Sequence, residues 1–270
     1  MKHIVAVASG KGGVGKSTVA ANLAVSLAQH QFNGLGGPGR VALVDLDFYG
    51  PSIPTLMGGG ELSVGADDRF IPALRHGVKY ISIGFFLKNP DDPVIWRGPM
   101  FGKAITQLFQ DVNWGDVDIC IVDLPPGTGD AQLSLSQLVP LDGVVMVTTP
   151  QEVALADVRK AVNMFRKVNV EIFGAVENMS GFRTADGQVV DIFGKGGGEQ
   201  LCVAYGIPLM AQIPLEMGIR EGGDCGVPCV VGQDGASAVT GLFAQIASSL
   251  TEKLQAAVSA AKPALNIVND

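Results

Sequence analysis

The chain has 270 residues, of which 47% are hydrophobic and 17% charged, and its formal net charge at pH 7 is −7. This composition is sufficient for a large buried core, while the acidic balance, without a cluster of Lys and Arg, argues against a nucleic-acid-binding surface. The few apolar residues before Gly10 are too short for a signal peptide or a membrane span, and the four cysteines show no disulfide framework. We therefore expect a cytoplasmic protein that neither binds nucleic acid nor inserts into a membrane.

The first predicted element is a short buried strand at 4–8, which is followed by a glycine-rich loop and then by a helix at 19–30. Strand, loop and helix in this order are the setting of a phosphate-binding loop with the pattern G-x-x-x-x-G-K-S. The loop consists of Gly10, Lys11, Gly12, Gly13, Val14, Gly15, Lys16, Ser17 and Thr18. Its glycines allow backbone N–H groups to surround phosphate, Lys16 supplies charge to the β- and γ-phosphates, and the Ser17 hydroxyl is a ligand for Mg²⁺. The loop predicts that the chain binds a nucleoside triphosphate.

Carboxylates follow two further predicted strands. The apolar run that starts at Val41 is followed by Asp45 and Asp47, and the next clear interior strand ends at Asp123. Carboxylates at the carboxyl ends of parallel strands lie where open α/β sheets bind their ligands. Asp123 has the Walker B position, which holds Mg²⁺ through water, and Asp45 and Asp47 are candidates for work on Mg²⁺ or on water. The Gly127 N–H is then placed to approach a γ-phosphate and to sense its presence.

The rest of the chain continues to alternate strands with helices. Further strands are predicted at 144–148, 172–176 and 209–213, and helices at 96–112, 154–168, 196–205 and 238–261. Residues 78–83 are predicted to form a strand and hairpin that lie peripheral to the nucleotide site. Because no repeat or boundary interrupts this alternation, we expect residues 1–270 to form a single α/β domain, doubly wound around a mainly parallel sheet.

Several motifs resemble those of one protein family. The run K-G-G-V-G-K-S-T resembles the deviant Walker A loop of the MinD/ParA/nitrogenase-iron-protein class. The runs D-L-D-F-Y-G-P-S and W-R-G-P-M and the segment 118–137 resemble the Mrp/ApbC branch, the iron–sulfur cluster carrier ATPases. This resemblance covers nearly the whole chain and implies slow Mg²⁺-dependent hydrolysis of ATP by a homodimer that closes around two nucleotides. The role of the W-R-G-P-M run at 96–100 does not follow from its residues.

The resemblance also implies roles for individual residues. Lys11 would reach the partner subunit's nucleotide, although a solvated loop charge is its plainer interpretation. Asp47 would orient the attacking water and Asp45 would hold the Mg²⁺ shell, with the division between them open. Asn178 would pair with adenine, and the loop that contains Pro214 would cover the base. The preference for adenine follows from the family alone.

The chain departs from this family at its cysteines. The family places a C-x-x-C pair soon after E-N-M-S, where two subunits join four thiolates around a [4Fe–4S] cluster, but residues 181–188 contain no cysteine here. Cys225 and Cys229 offer another pair in a predicted loop, and a homodimer would supply the four thiolates of a cubane. The alternative is that they are two loop cysteines without metal.

Two functions therefore stay open at the level of sequence. The first is an iron–sulfur cluster carrier or assembly factor, whose partners would be iron–sulfur client or scaffold proteins. The second is a cluster-free ATP-dependent switch that gates the binding of a client or partner protein. The family resemblance favours the carrier and the missing C-x-x-C pair favours the switch, while a DNA-positioning role of the ParA type ranks third because the chain is acidic.

Overall fold

The computed structural model describes residues 1–29, 31–32, 37–86, 98–184, 186–231 and 238–259, so Trp96 and Arg97 of the W-R-G-P-M run lie outside it. The strands are β1 (His3–Ser9), β2 (Gln31–Phe32), β3 (Gly37–Pro38), β4 (Val41–Asp45), β5 (Ser63–Val64), β6 (Phe70–Ile71), β7 (Ala73–Arg75), β8 (Val78–Ser82), β9 (Ile119–Asp123), β10 (Gly143–Thr148), β11 (Ile172–Arg183), β12 (Val189–Val190) and β13 (Leu209–Leu215). The helices are α1 (Lys16–Gln29), α2 (Ile53–Leu56), α3 (Gly98–Gln110), α4 (Asp130–Leu138), α5 (Glu152–Lys167), α6 (Gly197–Tyr205), α7 (Met217–Cys225) and α8 (Ala238–Ser259). Short 3₁₀ turns occupy Ile83–Phe86 and Cys229–Val231. No helix within these ranges is long and apolar enough to cross a membrane.

The main sheet is mostly parallel. Within the described residues it contains nine strands in the order β12-β11-β10-β1-β9-β4-β8-β7, with β13 paired to β11. The pairs from β11 through β8 run parallel, as does β11 with β13, and the antiparallel pairs β11–β12 and β7–β8 lie toward the two ends of the order. This is the doubly wound, mainly parallel α/β architecture that the sequence predicts.

Both faces of the sheet are covered by helices, and β1 shows how the sequence achieves this. Alternate residues of a strand point to opposite faces, so both sets must be apolar when both faces are buried. Ile4, Ala6 and Ala8 join the core that includes residues of α3 to α6. Val5 and Val7 join a second core, which includes residues of α1 and α8. The continuous apolar run of β1 is therefore required by its central place in the sheet.

The register of the central strands sets the position of the predicted site. Asp45 at the end of β4 is paired with Asp123 at the end of β9, and Asp123 is paired on its other side with Val7 of β1. Parallel strands end at the same edge of a sheet, so the loop that follows β1 and the carboxylates that follow β4 and β9 meet there. Sequence order alone does not predict this adjacency, because β9 lies between β1 and β4.

Two elements differ from their predictions. β8 was predicted to be peripheral, but it pairs in parallel with β4 and places Ser82 beside Asp45. Cys225 was predicted to lie in a loop, but it is the last residue of α7, a helix that contains several glycines. Close packing accounts for a glycine at one of these positions, because a Cβ on Gly223 would lie 3.0 Å from Leu56 Cδ2 of α2. Gly226 ends α7 at φ +71°, and a Cβ there would lie 2.2 Å from Gly58 Cα.

Candidate nucleotide-binding site

The glycine-rich loop joins β1 to α1 in a conformation that needs its glycines. Gly13 and Gly15 have φ angles of +79° and +80°, which side chains with a Cβ rarely adopt. A Cβ on Gly15 would lie 2.2 Å from Asn178 Nδ2, and one on Gly10 would lie 2.2 Å from the backbone of Asp157 in α5. The loop is therefore held between β11 and α5, with no space for larger residues at these two positions.

Lys16 is buried among carboxylates at the first turn of α1. Its Nζ lies 2.6 Å from Asp123 Oδ1 and 3.4 Å from Asp47 Oδ2, and only 6% of the side chain is exposed. Burial alone would lower the pKa of Lys16, but the Asp123 and Asp47 carboxylates outweigh it and raise this pKa above its ordinary value. Lys16 is therefore charged, and in this structure its charge is neutralised by residues of β9 and of the segment after β4.

Asp123 fits the requirements of a Mg²⁺ site. It is fully buried, and burial raises the pKa of its carboxyl despite the neighbouring Lys16. Its Oδ2 atom is buried and has no hydrogen-bond partner among the described residues. Lys16 Nζ donates to the Ser17 hydroxyl at 3.2 Å, which brings that hydroxyl into the same group. An unpaired carboxylate oxygen beside a hydroxyl is the kind of oxygen donor set that Mg²⁺ accepts together with water and substrate phosphates.

The structure separates the surroundings of Asp45 and Asp47. Asp45 is fully buried and accepts hydrogen bonds from the Asp47 N–H, the Ile53 N–H and the Ser82 hydroxyl. Burial, with the nearby Asp123 carboxylate, raises the pKa of Asp45 well above its ordinary value. Asp47 borders a cavity that is lined by the glycine-rich loop. Asp45 is therefore enclosed by hydrogen-bond donors, whereas Asp47 lines a cavity.

The loop borders two adjoining cavities in the described part of the chain. The smaller has a volume of about 250 Å³ and is lined by most of the loop, Asp47 and Pro126. The larger has a volume of about 650 Å³, within the usual range for small-molecule sites, and lies between α2, α7, the middle of β11 and the end of β13. Residues of the loop and of the segment after Asp47 line both cavities; they are Gly15, Thr18, Gly50 and Ser52.

Asn178 and Pro214, which were predicted to lie at the base, line the larger cavity. Asn178 is also part of the loop's support, because its Nδ2 donates to the Val14 carbonyl at 2.9 Å. Glu177 holds this part of β11 in place. Its carboxylate is completely buried and accepts hydrogen bonds from the Gly198 N–H at 2.5 Å, Gln212 Nε2 at 2.8 Å and the Ser180 hydroxyl at 2.7 Å.

Comparison with known proteins identifies the family to which this chain belongs. A family model described as ParA, NUBPL iron-transfer P-loop NTPase, matches residues 1–251. The chain belongs to this NUBPL family. An iron-sulfur cluster carrier protein from Aquifex aeolicus is 48% identical over 262 residues, which are 96% of this chain and 70% of that protein. An iron-sulfur protein required for NADH dehydrogenase, mitochondrial, from Arabidopsis thaliana is 46% identical over 257 residues, which are 94% of this chain and 80% of that protein.

Solved structures support the same assignment. A nucleotide-binding protein from Archaeoglobus fulgidus in complex with ADP is 36% identical and superposes with a TM-score of 0.72, covering 86% of this chain and 90% of that one. The cell division ATPase MinD from Pyrococcus furiosus is 22% identical, with a TM-score of 0.66 over 93% of this chain and 99% of its own, and shows the shared fold. The family predicted from the sequence motifs is confirmed.

In this NUBPL-family chain the segment 124–137, which follows Asp123 and is called switch II here, is hydrogen-bonded to the end of β1. The Gly127 N–H donates to the Ser9 carbonyl at 3.0 Å, immediately before the first glycine of the loop. Gln132 Nε2 donates to the Pro125 carbonyl at 2.5 Å and reaches the same Ser9 carbonyl at 3.4 Å. The N–H that was predicted to sense a γ-phosphate therefore has an internal partner in this structure.

The cysteines do not form a ready iron–sulfur site in the described conformation. Cys225 is exposed at the end of α7, whereas the Cys229 thiol donates to Asn22 Oδ1 of α1 at 3.1 Å. Burial raises the pKa of Cys229 to about 12 and that of Cys202 to about 11, so both stay protonated at neutral pH. Cluster ligands are thiolates. Within the described residues, no group of three or more His, Cys, Asp or Glu is arranged to hold a metal ion.

Several contributors to the site were not found from the sequence. Ser82 fixes Asp45, Gln132 connects switch II to β1, and Ile219, Arg220 and neighbouring residues of α7 form a wall of the larger cavity. A serine at a strand end and a glutamine in a helix carry no pattern that marks a site. The helix α7 was hidden by its glycines, since glycine is unfavourable in helices.

Proposed function

We propose that this protein is a Mg²⁺-dependent ATPase that works as a homodimer in iron–sulfur cluster transfer. The observation that carries the ATPase is the buried group of Lys16, Asp123 and Asp47 at the phosphate cavity. ATP phosphates would replace these carboxylates as partners of Lys16, while Ser17 and Asp123 would hold Mg²⁺. The metal would neutralise charge on the β- and γ-phosphate oxygens, which is its usual contribution to phosphoryl transfer.

The remaining roles follow from position. Asp47 lies at the cavity and would orient the attacking water, with Asp45 fixing the backbone of Asp47 through its hydrogen bond. Asn178 and Pro214 border the larger cavity, where the base would lie. Binding of ADP by the related Archaeoglobus fulgidus protein supports adenine as that base. The free cysteines agree with a reducing cytoplasm as the place of action.

The ATPase is tested with Lys16→Met, which keeps the length of the side chain but removes its charge. The wild type should bind ADP with Mg²⁺ and hydrolyse ATP slowly, and the variant should do neither. Titration calorimetry and release of inorganic phosphate measure the two properties. Wild-type rates of hydrolysis in the variant would show that the loop has been assigned wrongly.

Cluster transfer is supported by the family and by the names of the relatives, which include iron-sulfur cluster carrier proteins from several bacteria. If the chain itself holds a cluster, Cys225 and Cys229 of two subunits are its candidate ligands. Cys229 would first have to leave Asn22 and lose its proton. This requirement favours the second candidate, a cluster-free ATP-dependent switch that gates the binding of a client or partner protein.

Anaerobic reconstitution with iron and sulfide separates the two candidates. A carrier should gain visible absorption and iron at the dimer interface, and Cys225→Ala and Cys229→Ala should each abolish both. Cys120→Ala and Cys202→Ala are the matched controls and should retain them. Absorption that survives both loop substitutions would reject this pair as ligands, and absence of iron uptake would favour the switch.

A further inference from the structure

Gln132 lies where switch II meets the strand that leads into the glycine-rich loop. Only 1% of the residue is exposed, and its amide donates to carbonyl groups on both sides of this junction. One is Pro125, at the start of switch II, and the other is Ser9, at the end of β1. No other side chain in the described residues forms hydrogen bonds to both segments, so the amide of Gln132 links them.

The Ser9 carbonyl is shared between two donors. It is completely buried and accepts from the Gly127 N–H at 3.0 Å, while Gln132 Nε2 lies farther away at 3.4 Å. A buried carbonyl that loses its donor is costly, so this oxygen has to keep a partner in each state of the protein. With Gly127 in place, the longer contact from Gln132 is not essential to Ser9.

This distribution changes if the Gly127 N–H turns to a γ-phosphate. It would then leave the Ser9 carbonyl, and Gln132 Nε2 would be the donor still within reach of that oxygen. ADP has no γ-phosphate, so with ADP the Gly127 N–H can remain hydrogen-bonded to the Ser9 carbonyl. The hydrogen bond from Gln132 to the Pro125 carbonyl can form with either nucleotide. Its contribution to the binding free energy is therefore the same for ATP and ADP and does not affect the choice between them.

We propose that Gln132 is a positioning residue that satisfies the Ser9 carbonyl when Gly127 moves to the γ-phosphate, and so selects the triphosphate over the diphosphate. This inference rests on the proposed function, because it needs a chain that binds ATP and ADP at this loop. Gln132 does not touch the phosphates in this account. It acts by stabilising the arrangement of switch II in which Gly127 can bind them.

The test compares the affinities of wild type and Gln132→Met for ADP and for a non-hydrolysable ATP analogue, both with Mg²⁺. Methionine has a similar length but no donor, so the Ser9 carbonyl would be left unpaired in the triphosphate state alone. Affinity for the analogue should fall on the order of tenfold, as expected for one unpaired buried acceptor, while affinity for ADP stays unchanged. Gln137→Met, on the exposed side of the same helix, is the matched control and should change neither.

Equal weakening of ADP and analogue would overturn the proposal, because it would show that Gln132 only maintains the structure. Unchanged affinity for both would overturn it as well. If Gln132→Met fails to fold, Gln132→Leu is the second variant: it also removes the NH₂ donor without adding a charge or a new donor, and it should show the same selective loss. A wild type that binds neither nucleotide would instead refute the proposed function.

Discussion

Removal of the Lys16 ammonium should destabilise the nucleotide-free protein, in addition to abolishing nucleotide binding. In Lys16→Met, the group at 2.6 Å from Asp123 Oδ1 and 3.4 Å from Asp47 Oδ2 becomes apolar. Asp123 is then a fully buried carboxylate without a charge partner at this distance. A phosphate-binding lysine that interacts with ligand alone would have no such effect on the free protein.

The size of the effect follows from the burial of the pair. Removal of one partner from a buried ion pair costs about 3–5 kcal/mol, because the other charge is left uncompensated. Burial already raises the pKa of Asp123, so this carboxyl can relieve part of the cost by taking up a proton. We therefore expect a loss of about 3 kcal/mol at pH 7, at the lower end of that range.

The sign of the pH dependence is also fixed. A carboxyl whose pKa is higher in the folded than in the unfolded state binds more protons when folded, so stability falls as pH rises between the two values. In Lys16→Met the folded pKa of Asp123 should rise further. The deficit relative to wild type should therefore be smallest near the unfolded pKa, at about pH 4, and should grow as the pH increases toward 7.

Urea unfolding without nucleotide, at several pH values, measures this deficit. Adding Asp123→Asn to Lys16→Met should restore much of the lost stability, since the double variant contains neither charge, and nucleotide binding should stay absent. Lys11→Met is the matched control: Lys11 forms no ion pair among the described residues, and its loss should cost less than about 0.5 kcal/mol. Equal stability of wild type and Lys16→Met across this pH range would refute the reasoning.

Three further predictions concern other contacts. Glu177→Gln replaces one of the two acceptor oxygens by an NH₂ group and so weakens the hydrogen bonds from the Gly198 N–H, Gln212 and Ser180; it should raise the KM for ATP more than it changes kcat, and an unchanged KM would argue against a role of these contacts at the site. The hydrogen bonds from Arg40 hold the pKa of Asp118 well below its usual range, so Asp118→Asn should cost about 1–3 kcal/mol at neutral pH, and urea unfolding should show the difference from wild type disappearing as pH falls below about 4; a constant difference would contradict it. Sedimentation with a non-hydrolysable ATP analogue should show a homodimer that Lys11→Ala weakens, and a monomer under every nucleotide condition would remove the proposed role of Lys11 across the interface.

The local parts of this site could be predicted from the sequence because each rests on neighbouring residues. A strand, a G-x-x-x-x-G-K-S loop and a helix define the phosphate cavity without knowledge of the rest of the fold. The apolar run that ends at Asp123 likewise indicates a buried strand with its carboxylate at the carboxyl edge. Both elements have this form in the structure.

The contacts between these parts could not be predicted, because they depend on the order of strands in the sheet. Asp45 and Asp123 are 78 residues apart in sequence and become neighbours only because β4 and β9 are paired in register. The role of Ser82 depends on β8 joining β4, which the weak pattern around it did not reveal. The helix α7 contains several glycines, one of which lies close to Leu56 of α2, and because glycine is unfavourable in helices the sequence does not indicate a helix here.

In this structure, several groups predicted to bind ATP are paired within the protein. Lys16 is paired with Asp123, the Gly127 N–H with the Ser9 carbonyl, and one donor of Asn178 with the Val14 carbonyl. Binding of ATP would therefore exchange partners rather than fill an unpaired site, and each exchange would free a group on a different segment. Asp123 would become available to Mg²⁺, and the Gly127 N–H would leave the Ser9 carbonyl, which Gln132 would then satisfy. A cluster carrier and a cluster-free switch would both use these exchanges, so ATP hydrolysis alone cannot distinguish them, whereas iron binding by the cysteines can.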